Sequence, residues 1–245
     1  MKKILIATAV ATAFVAPTAF AQSAFEGFYG QIATGYENNQ VSSLNATGIS
    51  QGNPNENWNV SNQSFGNAPL VLGLGYNFSV TPQWLVGIGA DYSAISLKSS
   101  TYDMAGTGAN AGSSVTGNQL QTSNRFNIFV TPGYAIDKDK LVYLKAGYSS
   151  VSLKTTGITG CNPSSNCTDG VNFSNPSNTL SGYVLGLGYK QIITGGFYGF
   201  AEANYMSYSK SSFSSVNQRA GSDYTFSTNP SLSSYQALVG VGYKF

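Results

Sequence analysis

Apolar and polar residues alternate along eight stretches of this chain, and a period of two puts successive side chains on opposite faces of a strand. The C-terminal stretch is the clearest. Val239, Val241, Tyr243 and Phe245 share one face, and Gly240, Gly242 and Lys244 share the other. A face of glycine and lysine adds little to a water-soluble core, but it suits a barrel with lipid outside and a polar lumen. The same alternation predicts strands over 26–37, 65–78, 84–98, 123–136, 141–154, 179–190 and 197–210. In the stretch 65–78, Leu70, Leu72, Leu74, Tyr76 and Phe78 face outward, and Asn67, Val71, Gly73, Gly75 and Asn77 face inward. Its run Val-Leu-Gly-Leu-Gly-Tyr at 71–76 returns at 184–189. Two details strain the pattern. Pro132 falls inside a strand, which predicts a bulge or a missing bond, and Tyr198 and Phe200 turn aromatic rings inward.

The connections alternate in length. Residues 79–83, 137–140 and 191–196 form tight turns, whereas 38–64, 99–122, 155–178 and 211–232 are long and rich in Ser, Thr, Asn and Gly. Short turns at one end, long loops at the other and both termini on the short-turn side describe an outer-membrane barrel. The expected fold is therefore all-β: an eight-stranded antiparallel up-and-down transmembrane β-barrel with short periplasmic turns and four long extracellular loops. Lipid offers backbone groups no hydrogen-bond partners, so strands cross a bilayer only in a closed sheet. Outward aromatics gather at both ends, with Tyr76, Phe78, Trp84, Tyr134, Tyr189 and Tyr243 beside the turns. Tyr36, Tyr92, Tyr148 and Tyr205 lie towards the loops, as interfacial girdles require.

Residues 1–21 read as a secretory signal peptide. Lys2 and Lys3 supply the charge, 4–15 the apolar run and Ala19-Phe20-Ala21 the cleavage signal, so cleavage is expected between Ala21 and Gln22. The barrel domain then covers 22–245. Cleavage removes two of the twelve basic residues, leaving ten against ten acidic ones, so a basic nucleic-acid-binding surface is not expected. Charged residues make up 9% of the chain, well under the usual ~25%.

The signal peptide, the Gly-x-Gly-Tyr strand ends, Gly89-Ala90-Asp91-Tyr92 and the terminal Gly-Val-Gly-Tyr-Lys-Phe resemble the small outer-membrane barrels grouped with opacity proteins and the OmpA/OmpX membrane domain. The resemblance spans the whole mature chain. It implies a bacterial outer-membrane location with the loops outside, contact with lipid and lipopolysaccharide, and a monomer. It also implies that Tyr243 and Phe245 carry the signal read by the barrel-assembly machinery. The peptidoglycan-binding domain of full-length OmpA-like proteins is not expected.

Catalysis finds little material here. The chain has no His, so no Ser–His or Asp–His arrangement can form, and no enzyme activity, cofactor or metal site is expected. The inward charges Asp91, Arg125, Lys145 and Glu202, with Glu37 near the outer end of the first strand, form either an interior network that fills the barrel or the constriction of a narrow channel. Inward glycines leave room for water. Cys161 and Cys167, close together in the third long loop of an exported chain, read as a disulfide. The polar loops, with Trp58, Tyr102, Phe173, Phe213, Tyr224 and Phe226, suit either adhesion to a host or matrix ligand or a hydrated cap. The expected role is a surface protein acting structurally or through its loops; a porin-like channel for small solutes or ions is the alternative.

Overall fold

A computed structural model describes residues 23–50, 55–108, 111–156, 160–162, 176–219 and 222–245. The signal peptide with its cleavage point, and the disulfide through Cys167, lie outside the described residues. The strands are β1 (Gly27–Ser42), β2 (Ala46–Ser50), β3 (Glu56–Asn59), β4 (Gln63–Asn67), β5 (Leu70–Ser79), β6 (Trp84–Ser93), β7 (Leu97–Lys98) and β8 (Tyr102–Thr107). They continue with β9 (Ser114–Ala135), β10 (Lys140–Thr156), β11 (Gly160–Asn162), β12 (Ser177–Thr194), β13 (Phe197–Tyr208), β14 (Phe213–Arg219), β15 (Ser222–Thr228) and β16 (Ser231–Lys244).

All pairings are antiparallel. From β1 they run to β5, β6, β9, β10, β12, β13 and β16, and from β16 back to β1. Chain order is kept around this circuit, with tight connections between β5 and β6, β9 and β10, and β12 and β13. The Thr81 hydroxyl accepts the Trp84 N–H at 3.0 Å in the first of these, and Gly195 takes a φ of 54° in the last, a conformation that suits a residue without Cβ. Both ends of the sheet meet at the same rim, where Tyr29 pairs with Lys244 and the Phe245 N–H donates to the Phe28 carbonyl at 2.9 Å. Pro132 has no N–H to give. Opposite it the β9–β10 partners stop at Gly133 and resume at Val130, which is the missing pairing that proline predicts.

Eight strands separated by irregular loops is too simple a description. Sixteen strands occur among the described residues, because the Ser/Thr/Asn-rich connections pair with one another. β8 joins β9, β3 joins β8, β2 joins β3, β15 joins β2 and β14 joins β15, so the long loops extend the sheet upward from β9. Two expected strands are also divided. The second breaks at Ala68–Pro69 into β4 and β5, and the third breaks after Ser93 into β6 and β7.

The polarity of the two faces reverses along the long strands. On β10, Val142, Leu144 and Tyr148 face out and Tyr143, Lys145 and Ser149 face in; farther on, Ser150, Ser152 and Lys154 lie outward, and Val151 and Leu153 are buried. β1 and β16 repeat the change just beyond Tyr36 and Tyr235. The turn-side half is thus apolar outside, and inside it holds the charged and polar residues beside two small apolar clusters, one with Phe200 and Leu238 and one with Leu85 and Leu141. The loop-side half is the reverse, and its interior is an apolar cluster that includes Val41, Phe65, Leu120, Leu153, Leu180 and Leu232.

Candidate functional site

The interior of the turn-side half buries six charges: Glu37, Asp91, Glu202, Arg125, Lys145 and Lys190, three of each sign. Alternation alone puts them there, each on an inward position of its strand. Lys145 of β10 lies between Asp91 of β6 and Glu202 of β13, its ammonium 2.7 Å from Asp91 Oδ2 and 2.9 Å from Glu202 Oε1. Further donors reach the same carboxylates. Asp91 Oδ1 accepts from Asn127 at 2.6 Å, and Glu202 accepts from Asn204 and from the Tyr143 hydroxyl, each at 2.7 Å. The Lys145 ammonium also stands 4.1 Å from the centre of the Phe129 ring.

Arg125 of β9 lies one layer towards the loops and pairs with Glu37 of β1. Its guanidinium donates to Asn39 and Ser234 at 2.9 Å and to the Tyr208 hydroxyl at 3.0 Å. Glu37 also accepts from Gln236 at 2.7 Å, and a 3.4 Å contact from Asn204 to Gln236 joins the two layers. Buried charges persist when paired and hydrogen-bonded; Asp91, Glu202, Lys145, Glu37 and Arg125 all meet that condition, while the amide oxygens of Asn127 and Asn204 beside them stay without a partner. Four of these six charges are the candidates Asp91, Arg125, Lys145 and Glu202. They do not form one constriction. Lys145, Asp91 and Glu202 come together, while Arg125 takes Glu37 as its partner.

Lys190 completes the set and was not singled out from the sequence. It has the inward parity of Gly186 and Gly188 on β12, which is the signal that could have found it. It has no carboxylate within ion-pair distance among the described residues. Its ammonium instead sits 3.9 Å from the centre of the Tyr29 ring, 5.0 Å from Tyr198 and 5.3 Å from Tyr143. Aromatic faces attract a cation in this geometry, and the inward Tyr198 that breaks the alternation is one wall of the cage. Lys190 also balances the charge excess of the Asp91–Lys145–Glu202 trio.

Among the described residues, the space at several inward glycines is taken by aromatic rings. A Cβ on Gly188 would fall on the Tyr143 ring, and one on Gly242 on the Tyr198 ring, so their missing side chains make room for these tyrosines. Two interior cavities, one beside Lys190 and one beside Arg125, measure about 10 Å³ each, the size of one water. At the rim, Tyr243 faces outward with its ring centre 4.8 Å from Phe197 and 5.1 Å from Phe245, which is 78% exposed. Cys161 lies in β11.

No protein-family model and no curated sequence matches this chain. Among solved structures, the outer-membrane protein OprG of Pseudomonas aeruginosa is similar over 91% of this chain and 99% of its own, with 13% identity and a TM-score of 0.52. The outer-membrane protease OmpT of Escherichia coli is similar over 90% of this chain and 97% of its own, with 9% identity and a TM-score of 0.51. The fold is that of bacterial outer-membrane β-barrel proteins.

Proposed function

We propose that the protein is an integral outer-membrane barrel with eight spanning strands and a sealed interior, and that it acts at the cell surface through the strands of its long loops, without catalysis. The observation that carries this is the double filling of the interior. Below, six charges are paired, caged and hydrogen-bonded; above, an apolar cluster closes the way. Ions would have to cross an apolar core, which argues against a narrow channel. The reversal of face polarity at Tyr36, Tyr148 and Tyr235 fits a bilayer boundary, with polar residues outside above it. The long loops then form a walled projection into the exterior, stiff enough to present a surface to a host or matrix ligand. The rim residues Tyr243 and Phe245 face lipid and suit recognition by the assembly machinery.

Conductance tests the sealed interior. Refolded protein, verified as inserted by its heat-dependent gel shift, is expected to give no discrete current steps in a planar bilayer. Arg125→Gln should stay equally silent. Reproducible steps whose ion preference changes in that variant would restore the channel.

A further inference from the structure

The outer wall is uneven. On β13 the outward positions Ala201 and Ala203 are small and exposed. Ala203 pairs with Leu187 on one side and Ala237 on the other, and Ala201 pairs with Tyr189 and Val239. Bulky side chains thus flank a low floor, and a groove of about 700 Å³ runs over it and across to Trp84 and Tyr134. At the next outward level towards the loops stand Tyr205 and Tyr235, their ring centres 5.0 Å apart. Towards the turns the lining becomes polar. The Tyr189 hydroxyl donates to Gln191 at 3.0 Å, and Lys140 pairs with Gln191 across the ladder.

We propose that this groove holds one phospholipid of the periplasmic leaflet, with an acyl chain over Ala201, Ala203 and Ala237 and its phosphate at the turn formed by 136–139. This rests on the proposed membrane-spanning barrel. An apolar hollow within the hydrocarbon belt forfeits dispersion contacts unless something flexible fills it. A second copy fits poorly, because a two-fold contact would set hollow against hollow and leave the space unfilled. The leaflet follows from position, since the groove abuts the short turn, with the Trp84–Tyr134 ring pair, centres 5.1 Å apart, at the height of an interfacial belt. The turn carries two carboxylates and two ammoniums. Lys140 answers both carboxylates, 2.7 Å from Asp137 and 3.8 Å from Asp139, and its hydrogen bond brings the Asp137 carboxyl down to about 2. Lys138, exposed in the same turn, has no carboxylate partner among the described residues and is free to meet a phosphate.

The test is native mass spectrometry of the mature protein after reconstitution into phosphatidylethanolamine–phosphatidylglycerol vesicles and re-extraction in mild detergent. The unaltered protein should retain one phospholipid per chain. Ala203→Phe combined with Ala237→Leu, both on the lipid side, should lose it; Lys138→Gln should weaken retention; Leu74→Ala on the far wall should change nothing. Absence of retained lipid, equal retention in the groove-filled variant, or a dimer that the groove-filled variant abolishes would overturn the proposal. The gel shift is read in parallel. A chain that inserts but keeps no lipid defeats the groove alone, whereas one that never inserts defeats the spanning barrel.

Discussion

Lys145 is the side chain on which the interior most depends, because its single positive charge answers two carboxylates. Removing one partner of a buried pair costs more than the pair itself contributes, since the charge left behind is buried and unanswered. Lys145→Met is therefore expected to lower stability by about 3–5 kcal/mol, read from urea unfolding in lipid vesicles. Adding Asp91→Asn and Glu202→Gln to it should recover most of the loss. If Lys145→Met unfolds at the same urea concentration as the parent, the trio is not a determinant of stability. Lys190 does related work by a different route: three tyrosine faces replace a carboxylate, and three glycine-flanked strands give those rings their space.

At the scale of the element, the strands built from the long loops are the main departure from expectation. Leu120 falls in what the sequence marks as a loop, yet it is 1% exposed, in β9 within the apolar cluster. Leu120→Asn should cost about 2–5 kcal/mol, the range for losing a large buried side chain, with guanidinium unfolding as the measure. The outward neighbour Gln121→Asn should leave the midpoint unchanged; equal effects at the two sites would mean that this region is not a packed strand. Much was nevertheless legible. Parity alone puts Asp91, Arg125, Lys145 and Glu202 on the inner face, and it divides most residues of the spanning strands as the structure does; Asn67, expected inward, is instead exposed where β4 ends. Partners were not legible, because register depends on turn geometry: Lys145 meets Asp91 and Glu202 from 54 and 57 positions away. The loop strands were hidden because Ser, Thr and Asn carry little hydrophobic contrast, so a period of two leaves a faint mark. Their inward Val and Leu residues have meaning only once the reversal of polarity at the tyrosine level is known.

For the whole molecule, height is the informative dimension. β9 has 22 residues, about 70 Å of extended chain, whereas the apolar band of such barrels is about 25 Å tall. Even with tilt, a large part of the sheet stands clear of lipid. The circuit of β1, β5, β6, β9, β10, β12, β13 and β16 does not pass through β14 or β15. Deleting 213–228 should therefore leave the heat-dependent gel shift intact while removing part of the projecting wall. A deletion mutant that no longer shifts would mean the projection is required for the barrel to close. The reversal of face polarity also bears on biogenesis. A hairpin in transit through the periplasm offers greasy surface on one side near its turn and on the other side near its tip. No single flat contact can shield both, so any chaperone that shields such a segment is expected to wrap it rather than lie against it. The lower surface then passes to lipid, and the upper one is covered only when the last strand meets the first.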